Sequence, residues 1–120
     1  MPIARREKDI ASPPAPRAWS VDEAPGDVVC KATDYPSDTV IAPHRHERHQ
    51  LVYALHGLMV VRSGQGHWVV PSTRALWMPA GTVHSVRCVG TLGMRSLYIR
   101  PAAIAGMPAQ PSVMAVEPLL

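Results

Sequence analysis

Thirteen prolines and eight glycines cut this chain of 120 residues into runs too short for long helices. Proline fixes φ and removes a backbone donor, while glycine opens the left-handed conformations of tight turns. Their clusters mark turns, and the stretches between them are rich in aliphatic and β-branched residues. Strands are predicted over 27–34, 39–46, 51–55, 58–62, 67–70, 75–78, 83–89, 94–99 and 112–116. Pro43 puts the second of these at a sheet edge or a strand end. Ser63-Gly64-Gln65-Gly66 has hairpin chemistry. No long stretch shows helical periodicity with caps. The pattern predicts an all-β sandwich or barrel of about eight or nine short strands. Residues 1–26, with Ser12-Pro13-Pro14-Ala15-Pro16, are predicted to form an extended N-terminal arm, and residues 27–120 the barrel. Trp19 and Val21 could dock that arm on the domain, in cis or across a dimer. Glu117-Pro118-Leu119-Leu120 reads as the opening of a helix.

The length fits one domain with one core. Apolar residues make up 47%, but aromatics only 5% and Phe is absent, so aliphatic side chains must fill that core. The net charge of +3 is scattered, and the one tight basic group, Arg5, Arg6 and Lys8, falls in the arm. Nucleic-acid binding by this chain alone would need a basic stripe on a folded face, and none is present. Cys30 and Cys88 are far apart and neither belongs to a Cys-x-x-Cys motif, which favours reduced thiols in a cytoplasm. No apolar run reaches membrane-spanning length, and the N-terminus lacks a signal-peptide core. The expected location is cytoplasmic, with no membrane partner.

Chemistry concentrates in His44-Arg45-His46-Glu47-Arg48-His49-Gln50. Residues two apart on a strand share a face, so His44 and His46 project together while Arg45, Glu47 and His49 turn away. Gln50 follows after a turn-length gap. His84 opens a later strand after Pro79-Ala80-Gly81. If those strands are neighbours, three imidazoles and one amide oxygen converge. Such donors suit one divalent transition metal: Zn, Ni, Fe, Cu or Mn. His49, His56 and His67 are read as surface residues. Tyr53, Trp68 and Trp77 could wall a ligand pocket or pack in the core, and Cys88 could lie near the site. Arg45, Arg48 and Arg95 could meet an acidic effector or simply face solvent.

The spacing His44-x-His46-x3-Gln50-x6-Gly57 resembles the first cupin motif, with Gln50 in place of the usual Glu. Pro79-x-Gly81-x2-His84 is similar to the second. Asp38 and Thr73 stand where glycines are expected, and Cys88 where the second motif closes with Asn. This resemblance implies a jelly-roll barrel holding a metal through His44, His46, Gln50 and His84. A narrower resemblance runs from His44 through Pro101. It is carried by His46-x3-Gln50-Leu51-Val52-Tyr53-Ala54, Gly66-x-Trp68-Val69-Val70-Pro71, Arg74-Ala75-x-Trp77-Met78-Pro79-Ala80-Gly81 and Arg95-x-Leu97-Tyr98-Ile99-x-Pro101. These segments look like the N-terminal sensor domain of AraC-type transcription regulators. That resemblance implies a metal or small-molecule effector and a homodimer. It also implies two helix-turn-helix units after the sensor, which this chain does not contain: it is a truncated piece or a stand-alone relative. A glutamine ligand supplies oxygen without charge, which shifts the expectation from a small metal-dependent dioxygenase or isomerase, the alternative reading, toward sensing.

Overall fold

A computed structural model describes residues 20–116. Trp19 and the predicted helix opening at 117–120 lie outside the described residues. Among the described residues there are nine strands, β1 (Val28–Tyr35), β2 (Val40–His44), β3 (His49–Ala54), β4 (Leu58–Ser63), β5 (Gly66–Pro71), β6 (Arg74–Met78), β7 (His84–Val89), β8 (Leu92–Ile99) and β9 (Ser112–Ala115), with one 3-10 turn at Pro101–Ala103. Each falls within a few residues of its predicted span. Among the described residues no helix is long and apolar enough to cross a membrane.

Two antiparallel sheets face each other, in the orders β1-β8-β3-β6-β9 and β2-β7-β4-β5. β1 pairs with β8, β2 with β7, β3 with β6 and β4 with β5. That nested pairing is a long hairpin rolled onto itself, the jelly roll the resemblance implies. β9 extends the larger sheet by pairing with β6.

Alternation along the strands builds the core. On β3, Gln50, Val52 and Ala54 turn inward and are buried, while His49, Leu51 and Tyr53 turn outward and are half-buried. The interior is filled by Val52, Ala54, Met59, Val61, Val70, Leu76, Met78, Val86, Cys88, Leu92 and Met94. It is an aliphatic and thioether core, as a chain without Phe requires.

The turns use the residues their geometry demands. Asp38 has φ 66°, the left-handed conformation for which the resembling motif supplies glycine. Asp is among the side chains that tolerate it best. Gly57 has φ 87°, and a Cβ there would lie 2.3 Å from the Thr91 carbonyl oxygen. Only glycine closes that end of the barrel without displacement.

Candidate metal and effector site

The open end of the barrel gathers the histidines. His44 ends β2 and is the direct cross-strand partner of His84, which opens β7. A register irregularity between Ile41 and His44 turns both toward the interior although they are three residues apart. Pro43, which cannot donate to a ladder, occupies this bulge. His46 lies just beyond the end of β2, not inside a strand as predicted. Its backbone is held by the Gly81 N–H, which donates to the His46 carbonyl at 2.8 Å. The Pro79-Ala80-Gly81 turn thus fixes both His46 and His84.

Ring centroids are 4.4 Å apart for His44 and His84, 5.0 Å for His44 and His46, and 6.0 Å for His46 and His84. One nitrogen from each ring lies within 4.8 Å of the others. The backbone selects which nitrogen is available. His44 Nδ1 donates to the Ala42 carbonyl at 2.8 Å, and His84 Nδ1 donates to the Thr82 carbonyl at 2.9 Å. Both rings keep the Nε2 lone pair free, the tautomer a metal-ligating histidine needs. Asp22 Oδ2 stands 3.9 Å from His46 Nδ1.

Both His46 and His84 are pushed below the ordinary histidine range. Burial is the main cause for each, and the nearby His44 adds to it. At neutral pH these rings are uncharged donors. Gln50 is 6% exposed. Its Nε2 donates to Ser96 Oγ at 3.0 Å and to the Tyr98 hydroxyl at 3.1 Å. That leaves Oε1 buried with no partner. An orphaned buried acceptor costs about 1–3 kcal/mol, and a cation or donor would satisfy it. Three imidazoles, two of them with fixed tautomers, and one unspent carbonyl oxygen are a donor set that fits a divalent transition ion with bonds of about 2.0–2.2 Å.

Beneath these groups lies a cavity of about 170 Å³. Its floor is aliphatic, from Val52, Val61, Leu76, Met78, Val86 and Met94, and its polar wall comprises Lys31, Tyr35, Gln50, Tyr98 and the three histidines.

Comparison with known proteins identifies this arrangement. A family model described as the AraC-like ligand binding domain matches residues 25–120. The chain belongs to that family. Among curated proteins, this AraC-like domain is 32% identical over 84 residues to the HTH-type transcriptional regulator NimR of Escherichia coli. The match covers 69% of the chain but 30% of NimR, so the chain spans under a third of that relative. Among solved structures, ToxT from Vibrio cholerae, bound to an unsaturated fatty acid, superposes with a TM-score of 0.61 at 8% identity, over 79% of this chain and 43% of ToxT. An RmlC-like cupin from Shewanella frigidimarina superposes at 0.57 with 14% identity, over 65% of this chain and 72% of that one. At such identities these two likenesses establish the fold, a cupin jelly roll.

Within the AraC-like domain, His44, His46, Gln50 and His84 meet around one cavity, but the predicted pocket walls do not. Tyr53 faces outward from β3. Trp77 is 1% exposed yet sits on the outer side of β6, where the C-terminal segment covers it and its Nε1 donates to the Pro108 carbonyl at 3.0 Å. His49, read as a surface residue, packs against Trp77 at 4.9 Å and accepts the Ala80 N–H at 2.9 Å. Trp68 packs on the core and Cys88 lies wholly within it, where burial pushes its thiol up. None of these four lines the cavity. Arg48, read as solvated, is 2% exposed, and its Nη2 donates to the Ala24 carbonyl.

Three contributors went unmarked in the sequence. Lys31 shares the inward side of β1 with Val29. Tyr98 packs on His46 at 5.0 Å. Asp22 arrives from the segment before β1. Strand parity could have found Lys31 and Tyr98, but only a known β1-β8-β3 pairing tells which face is inside. No local signal marks Asp22, which is 24 residues from His46.

Proposed function

We propose that this domain is the effector-binding part of a cytoplasmic, homodimeric transcription regulator. In this reading the barrel spans 27–120, and a DNA-binding part lies elsewhere in the full-length protein. The observation that carries the reading is the cavity at the open end of an AraC-like barrel, with an aliphatic floor and convergent polar groups at one wall. The relationship to NimR supports the regulatory assignment.

In this proposal His44, His46 and His84 give Nε2, and Gln50 gives Oε1, to one divalent transition ion. Such an ion would supply a Lewis-acidic anchor for an effector. The chain's own residues do the rest: the Ala42 and Thr82 carbonyls fix two tautomers, Asp22 orients His46, and the aliphatic floor excludes water. Asp22 is a carboxylate that the fold adds near the histidines. It faces Nδ1 of His46 and accepts the Glu47 N–H at 3.1 Å, which suits an orienting role better than proton transfer.

Elemental analysis of protein purified without a histidine tag tests the ion. We expect near-stoichiometric metal, lost in His46→Ala and in His84→Ala. Unchanged metal content in both variants would refute the donor assignment.

A further inference from the structure

Lys31 has no role in the donor set, yet it lines the cavity. Val29, Lys31, Thr33 and Tyr35 share one side of β1, and both Lys31 and Tyr35 reach the cavity wall. Among the described residues, no Asp or Glu lines the cavity. The ion pairs among the described residues engage Asp22 with His46, Asp34 with Arg95 and Asp27 with Arg100. None of them engages Lys31. Among the described residues, the wall therefore presents a cation without an ion-pair partner, beside an aliphatic floor.

We propose that the effector is a small organic monocarboxylate, its carboxylate held by the Lys31 ammonium and its apolar body seated on Val52, Leu76 and Met94. This rests on reading the cavity as the effector site. An ammonium meeting a carboxylate beside a low-dielectric floor makes charge-assisted hydrogen bonds that a neutral ligand cannot match. Tyr98 adds a hydroxyl to the same wall. In the ion-free chain Lys31 is the one Lys or Arg among the residues lining the cavity, so it matches one negative charge, and a second one on the aliphatic floor would have no cation beside it. Size restricts the class further. An apolar cavity of about 150 Å³ takes up a benzene-sized body, so the 170 Å³ here suits a short chain or a single ring and is too small for a long acyl tail.

Calorimetric titration of the chelator-treated chain with benzoate and hexanoate, with their amides, and with palmitate tests this. We expect each short acid to bind about tenfold or more tighter than its amide. That preference should shrink as sodium chloride is raised, and palmitate should bind worse than hexanoate. Lys31→Met should lose the preference for the acid over its amide, and Lys31→Arg should keep it. Lys31 is exposed, so thermal melts should show both variants folded.

Equal affinity for acid and amide would overturn the anionic class while leaving an effector cavity in place. A preference that survives Lys31→Met would overturn the role of Lys31. Absence of binding by acids and amides alike would overturn the proposal. Separate titration with Zn²⁺ then distinguishes the two readings: retained ion binding that His84→Ala abolishes leaves the metal site standing.

Discussion

Gln50 carries an amide where the resembling motif carries a carboxylate, and its surroundings show what that exchange costs. Both amide hydrogens are spent on Ser96 and Tyr98, and Oε1 is left buried without a donor. Gln50→Glu keeps the shape and adds a negative charge opposite the proposed dication. We expect ion affinity to rise by about tenfold or more, measured by competition with a chelator, and the melting temperature of ion-free protein to fall, because a buried carboxylate is desolvated. Unchanged affinity would mean that Oε1 does not reach the ion. The imidazoles set a second expectation. The folded-state values of His46 and His84 lie below the ordinary 6.5. Above that value both states are uncharged and stability is flat. As pH falls through it, the unfolded chain takes up protons that the folded chain refuses, so stability drops. Chelator-treated protein should melt at progressively lower temperature as pH is lowered from about 7.5 to about 5.5. Replacing both rings with Asn should flatten that slope.

Each element does a separate task. β2 and β7 deliver histidines because His44 and His84 are cross-strand partners, and the irregularity at Pro43 restores the inward direction of His44. β3, β4, β6, β7 and β8 supply the floor, and β3 and β8 the Gln50–Ser96–Tyr98 cluster. The opposite end of the barrel is closed by the turns after β3 and β7. There the Leu55 N–H donates to the Gly93 carbonyl, and the Gly93 N–H donates to the His56 carbonyl. Gly57 is fixed between these turns by its positive φ and by the Thr91 carbonyl. Gly57→Ala should destabilise the fold by about 1–3 kcal/mol through backbone strain and the forced shift, read by chemical denaturation. Ion affinity should be unaffected, since the histidines occupy the other end. A loss of affinity matching the loss of stability would show that the two ends are not independent.

At the scale of the molecule, the jelly roll turns a chain of local alternations into one concave site. The nested pairing places residues from β1, β2, β3, β7 and β8 around a single cavity, although Lys31 and Tyr98 are far apart in sequence. The segment after β8 crosses the outer face of the larger sheet before β9 pairs with β6. Its cover over Trp77 and His49 lies on the reverse side of the sheet whose inner face carries Gln50. The segment before β1 is docked as well. Val21 and Ala24 pack with Val29 and Tyr98, and Arg48 reaches the Ala24 carbonyl. Both ends of the described chain therefore rest on strands that line the site.

The sequence by itself determined the strands, the turns and the four residues His44, His46, Gln50 and His84 that meet around the cavity. Period-two alternation, Gly and Pro punctuation and His-x-His spacing are local rules, and local rules are readable one residue at a time. Tertiary structure decided which outward or inward face each strand shows. It moved Trp77 to the covered outer surface, sent Cys88 into the core, buried Arg48 under Ala24, and brought Asp22 and Lys31 to the histidines. Those outcomes depend on which distant strands pair and on what covers a sheet. Both are set by the free energy of burying the whole apolar surface at once, a quantity that no local window contains.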